Sequence, residues 1–299
     1  MEPSYLSLAG TFPPIPTPFT ADGDVDFDHL KSNIAHWNED PLPGYVVGGS
    51  NGEFVFLSVD ERVAVIREAR GAIPADRLLI AGSGMESTRE TIELTQAMAD
   101  VGADAVIVVT PSYYTSKMNP PALENHYRAV AEASPLPVIL YSVPVFTGID
   151  LPVEVVRRLA PHERIVGIKD SGGSAVKIAS LVNQTPADFQ VLAGSASFVL
   201  SAMAVGAVGM VAALANIAGE RLAALVEYFD AGDLQQARDI QLSVLEVNAA
   251  VTSKFGVAGL KAAMDMMGLF GGPVRAPLLP LNQEEEATLR TILKKADLL

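Results

Sequence analysis

Short apolar runs recur along this chain at fairly even spacing, each closed by a polar or glycine-rich turn and separated from the next by helical periodicity. The runs cover Thr11–Phe19, Gly44–Gly48, Arg77–Ala81, Ala105–Thr110, Pro137–Tyr141, Ile165–Lys169, Gln190–Ala193 and Gly209–Leu214. Between them Val59, Val63 and Ile66 fall on one helical face, as do Leu94, Met98 and Val101. Ser58-x-x-Glu61 and Ser87-x-x-Glu90 read as capping boxes that open two of these helices. Strands buried on both faces need continuous apolar runs and a helix on each crossover, so the alternation predicts a (β/α)8 barrel. The prolines of the first run predict poor pairing at one of its ends. Strand signals stop near residue 217, and helical pattern continues through Leu222–Val226, Leu242–Leu245, Leu260–Met267 and Glu284–Lys295. The expected division is a barrel over residues 1–217, then over 218–299 the last barrel helix and a C-terminal helical extension packed on the barrel.

Composition narrows the function. With 49% hydrophobic residues the 299-residue chain can bury a large core. A net charge of −14 argues against nucleic acid and anionic membrane as partners. The absence of cysteine removes disulfides, thiolate nucleophiles and cysteine metal sites. Met1–Gly10 lacks the basic-then-apolar pattern of a secretory leader, and no apolar stretch reaches membrane-spanning length. A cytoplasmic location is expected, or the mitochondrial matrix if a targeting segment has been removed.

In a barrel, chemistry collects just after the strands. Lys169 ends the run Ile165–Lys169 and precedes the loop Asp170-Ser171-Gly172-Gly173, which puts an amine at the barrel mouth. Such an amine is a usable nucleophile for a carbonyl carbon; the bland alternative is a lysine that snorkels into solvent. After the second strand, Gly48-Gly49-Ser50-Asn51-Gly52-Glu53 forms a turn whose backbone N–H groups suit a carboxylate. Tyr141 ends the fifth run and offers a phenol. Together these parts fit condensation with a 2-oxo acid: Lys169 as the imine lysine, Ser50 and Asn51 on the carboxylate, Tyr141 moving the proton.

Gly49-Ser50-Asn51-Gly52-Glu53, Thr110-Pro111-Ser112-Tyr113-Tyr114, Tyr141-Ser142-Val143-Pro144 and Lys169-Asp170-Ser171 occur in order at these strand ends. In this the chain resembles the dihydrodipicolinate synthase and N-acetylneuraminate lyase family of lysine-dependent, class I aldolases, over about residues 10 to 280. The resemblance implies a Schiff-base lysine at Lys169 and a catalytic tyrosine at Tyr141, with the Ser50 hydroxyl in a proton relay. It also implies a tyrosine, Tyr113 or Tyr114, reaching a neighbouring subunit's site. Gly49, Ser171, Gly194, Ser195 and Phe146 are implied as further substrate contacts. The implied assembly is a homotetramer built as a dimer of dimers, with pyruvate and an aldehyde as small-molecule partners and no metal or organic cofactor.

Within the family, Ser50-Asn51, Leu192–Ala196 and Gly271–Leu278 are similar to 4-hydroxy-2-oxoglutarate aldolases, which release pyruvate and glyoxylate. Phe146 stands where synthases carry an arginine for the aldehyde's carboxylate, which weakens the synthase alternative. It equally cannot pair with glyoxylate, and an apolar rim suits a neutral or aromatic aldehyde, the hydratase-aldolase alternative. A pyruvate-binding regulator without turnover is the reading from another class. Other signals point to no chemistry: Gly82–Glu86 reads as a turn, His29, His36, His126 and His162 as helix-surface or interface residues, and Lys254 and Lys261 as solvated or interface lysines.

Overall fold

The computed structural model describes residues 6–299, so the first half of the amino-terminal segment read for a leader lies outside the described residues. Eight parallel strands are β1 (Gly10–Phe12), β2 (Gly44–Val47), β3 (Leu78–Gly82), β4 (Ala105–Val109), β5 (Val138–Ser142), β6 (Ile165–Asp170), β7 (Gln190–Ala193) and β8 (Gly209–Val211). From β2 to β8 each strand ladders with the next in sequence, and β1 pairs with β8. The ring closes between β1 and β2 through a bridge at Pro14 and Val46, with Val46 N–H donating to Pro13 O at 3.0 Å and Ile15 N–H to Val46 O at 3.0 Å. Pro13 and Pro14 have no N–H to give, which is why the long first run contributes only Thr11 and Phe12 to the ladder. The eighth run is also shorter than its pattern, because Ala212-Ala213-Leu214 already turns into the next helix.

Helices alternate with the strands: α1 (Phe27–Trp37), α2 (Val59–Ala72), α3 (Thr88–Asp100), α4 (Pro120–Ala133), a single turn α5 (Pro144–Thr147), α6 (Val153–Leu159), α7 (Ala175–Gln184), α8 (Val199–Ala204) and α9 (Ala215–Asp230). The extension follows as α10 (Leu234–Ser243), α11 (Leu245–Ala249), α12 (Gly256–Met266) and α13 (Gln283–Lys295). The result is a (β/α)8 barrel with C-terminal helices.

Strand alternation sorts side chains into two cores. Phe12, Val46, Ile80, Ile107, Ile139, Tyr141, Leu192 and Val211 fill the barrel interior. Their neighbours in sequence, among them Val47, Leu79, Val106, Leu140, Ile168 and Met210, pack outward under the helices. Gly167 lets β6 and β7 approach: a Cβ there would meet Gln190 O at 2.3 Å.

Two helix details differ from the pattern. The buried face of α2 is Arg62, Val65, Ile66 and Ala69, with Val59 exposed, because α2 turns its arginine rather than Val63 toward the β3 loop. The Ser58–Glu61 box is complete, whereas Ser87 accepts from Glu90 N–H and spends its hydroxyl on the Glu90 carboxylate, so only one half of that box forms. No helix among the described residues is long and apolar enough to cross a membrane.

Candidate active site

Lys169 and Tyr141 are register partners on β6 and β5. Tyr141 lies in the interior core, and Lys169 alternates with the outward-packed Ile168, so both face the barrel axis at its carboxyl end. Both are 5% exposed, and the Lys169 amine sits 4.2 Å from the centre of the Tyr141 ring. Asp170, next in sequence, points to the other side of β6 and takes the ammonium of Lys177 from α7, at 2.5 Å. Lys177 also pairs with Asp150. Lys169 therefore keeps no ion-pair partner among the described residues, and its amine is left for the site.

Ser50 and Asn51 open a 3₁₀ turn, Ser50–Gly52, at the end of β2. The turn's own bonds run from Gly52 N–H to Gly49 O and from Glu53 N–H to Ser50 O, leaving the Ser50 and Asn51 N–H groups outside its ladder. The Ser50 hydroxyl reaches the Tyr141 phenol at 3.4 Å. Lys169, Tyr141 and Ser50 thus come together within one chain, with Gly49 buried and Asn51 half-buried in the same turn.

Ser171 and Gly194 meet on the rim between β6 and β7. Ser171 N–H donates to Ser142 O at 2.9 Å and Gly194 N–H to Asp170 O at 2.8 Å, and a Cβ on Gly194 would meet the Ser171 hydroxyl at 1.9 Å. Ser195 accepts from the Asn248 amide at 3.1 Å, so α11 of the extension touches the mouth. Tyr113 and Tyr114 are 80% and 69% exposed, ring centres 5.1 Å apart, and neither bonds Ser50 or Tyr141 among the described residues. Phe146, on α5, is 71% exposed beside the exposed Val145.

Several supporting residues escaped the sequence reading. Glu86, in the turn after β3, accepts the N–H groups of Ser112 and Tyr113, both at 2.9 Å, and so anchors the tyrosine loop. Arg62 holds the same turn through Gly82 O at 2.9 Å and Gly84 O at 3.2 Å; burial pulls its guanidinium down to about 10. Lys261 is a correction: it is 1% exposed, and its ammonium lies 2.5 Å from the equally buried Glu53 carboxylate. Desolvation lowers its pKa, with Glu53 opposing the shift. His126 is another, buried in the face of α4 against α3 rather than on the surface. Glu53 and Lys261 lie too far apart in sequence for spacing to pair them, whereas His126 carried a signal, since Leu123, Tyr127 and Val130 flank it at helical spacing.

The sequence profile described as the dihydrodipicolinate synthetase family matches residues 7–296. A 4-hydroxy-tetrahydrodipicolinate synthase of Moorella thermoacetica is 35% identical, over 95% of this chain and 96% of its own. An uncharacterised DapA-like lyase of Halobacterium salinarum is 38% identical, over 98% and 96%. A solved structure of the chloride-inhibited dihydrodipicolinate synthase of Acinetobacter baumannii, complexed with pyruvate, superposes with a TM-score of 0.93 at 35% identity, over 98% of this chain and 100% of that one. The chain belongs to the dihydrodipicolinate synthetase family and is a carbon–carbon lyase of the Schiff-base-forming aldolase type.

Proposed function

We propose that this enzyme is a pyruvate-dependent aldolase that works through an imine on Lys169, and that its reaction is the reversible cleavage of 4-hydroxy-2-oxoglutarate to pyruvate and glyoxylate. The observation that carries the lysine assignment is the buried amine over the Tyr141 ring, with the Ser50 hydroxyl 3.4 Å from the Tyr141 phenol. The neutral amine adds to C2 of the 2-oxo acid, and loss of water gives the iminium. A base takes the proton of the C4 hydroxyl, the C3–C4 bond breaks toward the imine, and the aldehyde leaves. Tyr141, in contact with Ser50, returns a proton to C3 of the enamine, and hydrolysis frees pyruvate and the lysine. The N–H groups of Ser50 and Asn51 bind the substrate carboxylate. No metal or organic cofactor takes part. The assembly is a homotetramer in which Tyr113 or Tyr114 enters a neighbouring subunit's site.

A second reading, 4-hydroxy-tetrahydrodipicolinate synthase, is favoured by the names of the relatives. Against it stands Phe146, exposed on the rim without a charge to offer an aldehyde's carboxylate. The same residue favours a neutral aldehyde over glyoxylate.

Intact mass after borohydride treatment with pyruvate tests the lysine. A pyruvate adduct on the wild type that is lost in Lys169→Ala is the expected result, and no adduct on the wild type would sink the assignment. Glyoxylate release from 4-hydroxy-2-oxoglutarate then selects the aldolase. Pyruvate consumption only with aspartate semialdehyde selects the synthase, and turnover only with uncharged aldehydes selects neither.

A further inference from the structure

Glu53 is the residue at which the Ser50 turn ends, and its backbone is left-handed at φ 54°. Glycine would adopt that conformation without steric cost, so the backbone alone does not call for a glutamate. What the side chain adds is a buried carboxylate gripped by the C-terminal extension. Lys261, on α12, sets its ammonium 2.5 Å from Oε1, and the backbone N–H of Arg275 donates to Oε2 at 2.8 Å. Lys261 is itself fixed: it donates to Pro273 O at 2.8 Å and lies 4.3 Å from the centre of the Phe19 ring. The Arg275 guanidinium lies 4.6 Å from the centre of the same ring. From the barrel side, the Thr17 hydroxyl donates to Gly52 O at 2.7 Å.

A buried ion pair is poor evidence for stability, since an apolar pair of similar volume often serves as well. Its distinctive property is a fixed position in space. The carboxylate fixed here lies one residue beyond the turn that presents Ser50, and Glu53 N–H closes that turn on Ser50 O at 3.1 Å. We propose that Glu53, Lys261 and the Arg275 backbone are positioning residues through which the C-terminal extension holds the Ser50 hydroxyl against Tyr141. The proposal rests on the Lys169 reading above and deepens it. The extension is then part of how the site is built, although it supplies none of the reacting groups.

The test uses full-length wild type, Glu53→Gly, the charge-neutral double variant Glu53→Gln/Lys261→Met, and the conservative Lys261→Arg. Each is melted, treated with borohydride and pyruvate, and followed by NMR for exchange of the pyruvate methyl protons with deuterium, per mole of folded protein. Glu53→Gly and the double variant are expected to form the adduct. Their exchange should be about tenfold to hundredfold slower, as a displaced reacting group requires, and KM for pyruvate should rise because the same turn carries the N–H groups that hold the carboxylate. Lys261→Arg should recover part of the rate. A wild-type exchange rate in folded Glu53→Gly or the double variant, whatever the loss in Tm, would make the ion pair merely structural and overturn the proposal. If the double variant does not fold, Glu53→Gly/Lys261→Met decides, because it relieves the left-handed backbone without leaving the buried Lys261 amine unpaired. Absence of adduct on the wild type would overturn the Lys169 reading and this proposal together; an adduct with unaffected variants overturns this proposal alone.

Discussion

Tyr141 faces the barrel interior because strand alternation leaves it on the side of Ile139, and its ladder partner across β5 and β6 is Lys169. A phenol in that place can move a proton without being needed for the imine itself. Tyr141→Phe is therefore expected to retain the borohydride adduct with pyruvate and to lose about 10²–10⁴ in turnover, the usual contribution of a positioned acid or base. Equal loss of adduct and turnover in that variant would instead make the tyrosine a partner in imine formation. Lys169 and Tyr141 were legible because each closes an apolar run, a signal held within a handful of consecutive residues. Lys261 was not, since what decides its fate is a carboxylate brought to it by the fold from the far side of the chain. The pairing of Asp170 with Lys177 was hidden in a milder way: alternation puts Asp170 outward, but only the approach of α7 supplies its cation.

Six of the eight apolar runs match their strands to within one residue at either end, and where the first and last strands are shorter than their runs the cause is local. Prolines deprive β1 of donors, and an early turn takes the end of β8. Helix faces were harder, because an amphipathic stripe does not say how a neighbouring loop will draw a long side chain inward, as the β3 loop draws Arg62. The packing of α4 against α3 buries His126, whose Nδ1 meets the Thr88 hydroxyl at 2.9 Å. Burial pulls this imidazole down from 6.5 to about 4, so the folded protein holds it neutral while the unfolded chain protonates it near 6.5. Between those values unfolding takes up a proton, and stability must fall as pH falls from about 6.5 to about 4, by up to about 3 kcal/mol from this group. His126→Gln removes the titration. Urea midpoints of the two proteins measured from pH 7 to pH 4 should converge, or cross, as the wild type loses this increment; parallel curves would show that His126 takes its proton while folded.

Beyond its individual elements the molecule is a barrel whose mouth is partly assembled by a chain segment that returns from the extension. After α12 the backbone passes so close that a Cβ on Gly271 would meet Lys261 O at 2.0 Å, and it then delivers Arg275 to the start of α2. There the guanidinium forms two bonds with Glu61, at 2.6 and 3.0 Å, and also donates to Gly23 O and Phe56 O. The paired geometry is the strong form of this interaction. It holds the Glu61 carboxyl at about 2, below its ordinary 4.5, with the Arg275 hydrogen bonds as the main cause. A depressed carboxylate contributes stability that is complete above about 4.5 and is lost as pH falls through about 2. The site is partly open to solvent, so screening reduces the contribution to about 1–2 kcal/mol. Glu61→Gln should therefore melt a few degrees below wild type at pH 7, at about 2–4 °C per kcal/mol. That gap should narrow steadily from pH 5 to pH 3, because the unfolded wild type gains its proton first. A gap that stays constant over this range would mean that the glutamate acts through its place in the Ser58 capping box, which a glutamine can partly keep, rather than through its charge on Arg275.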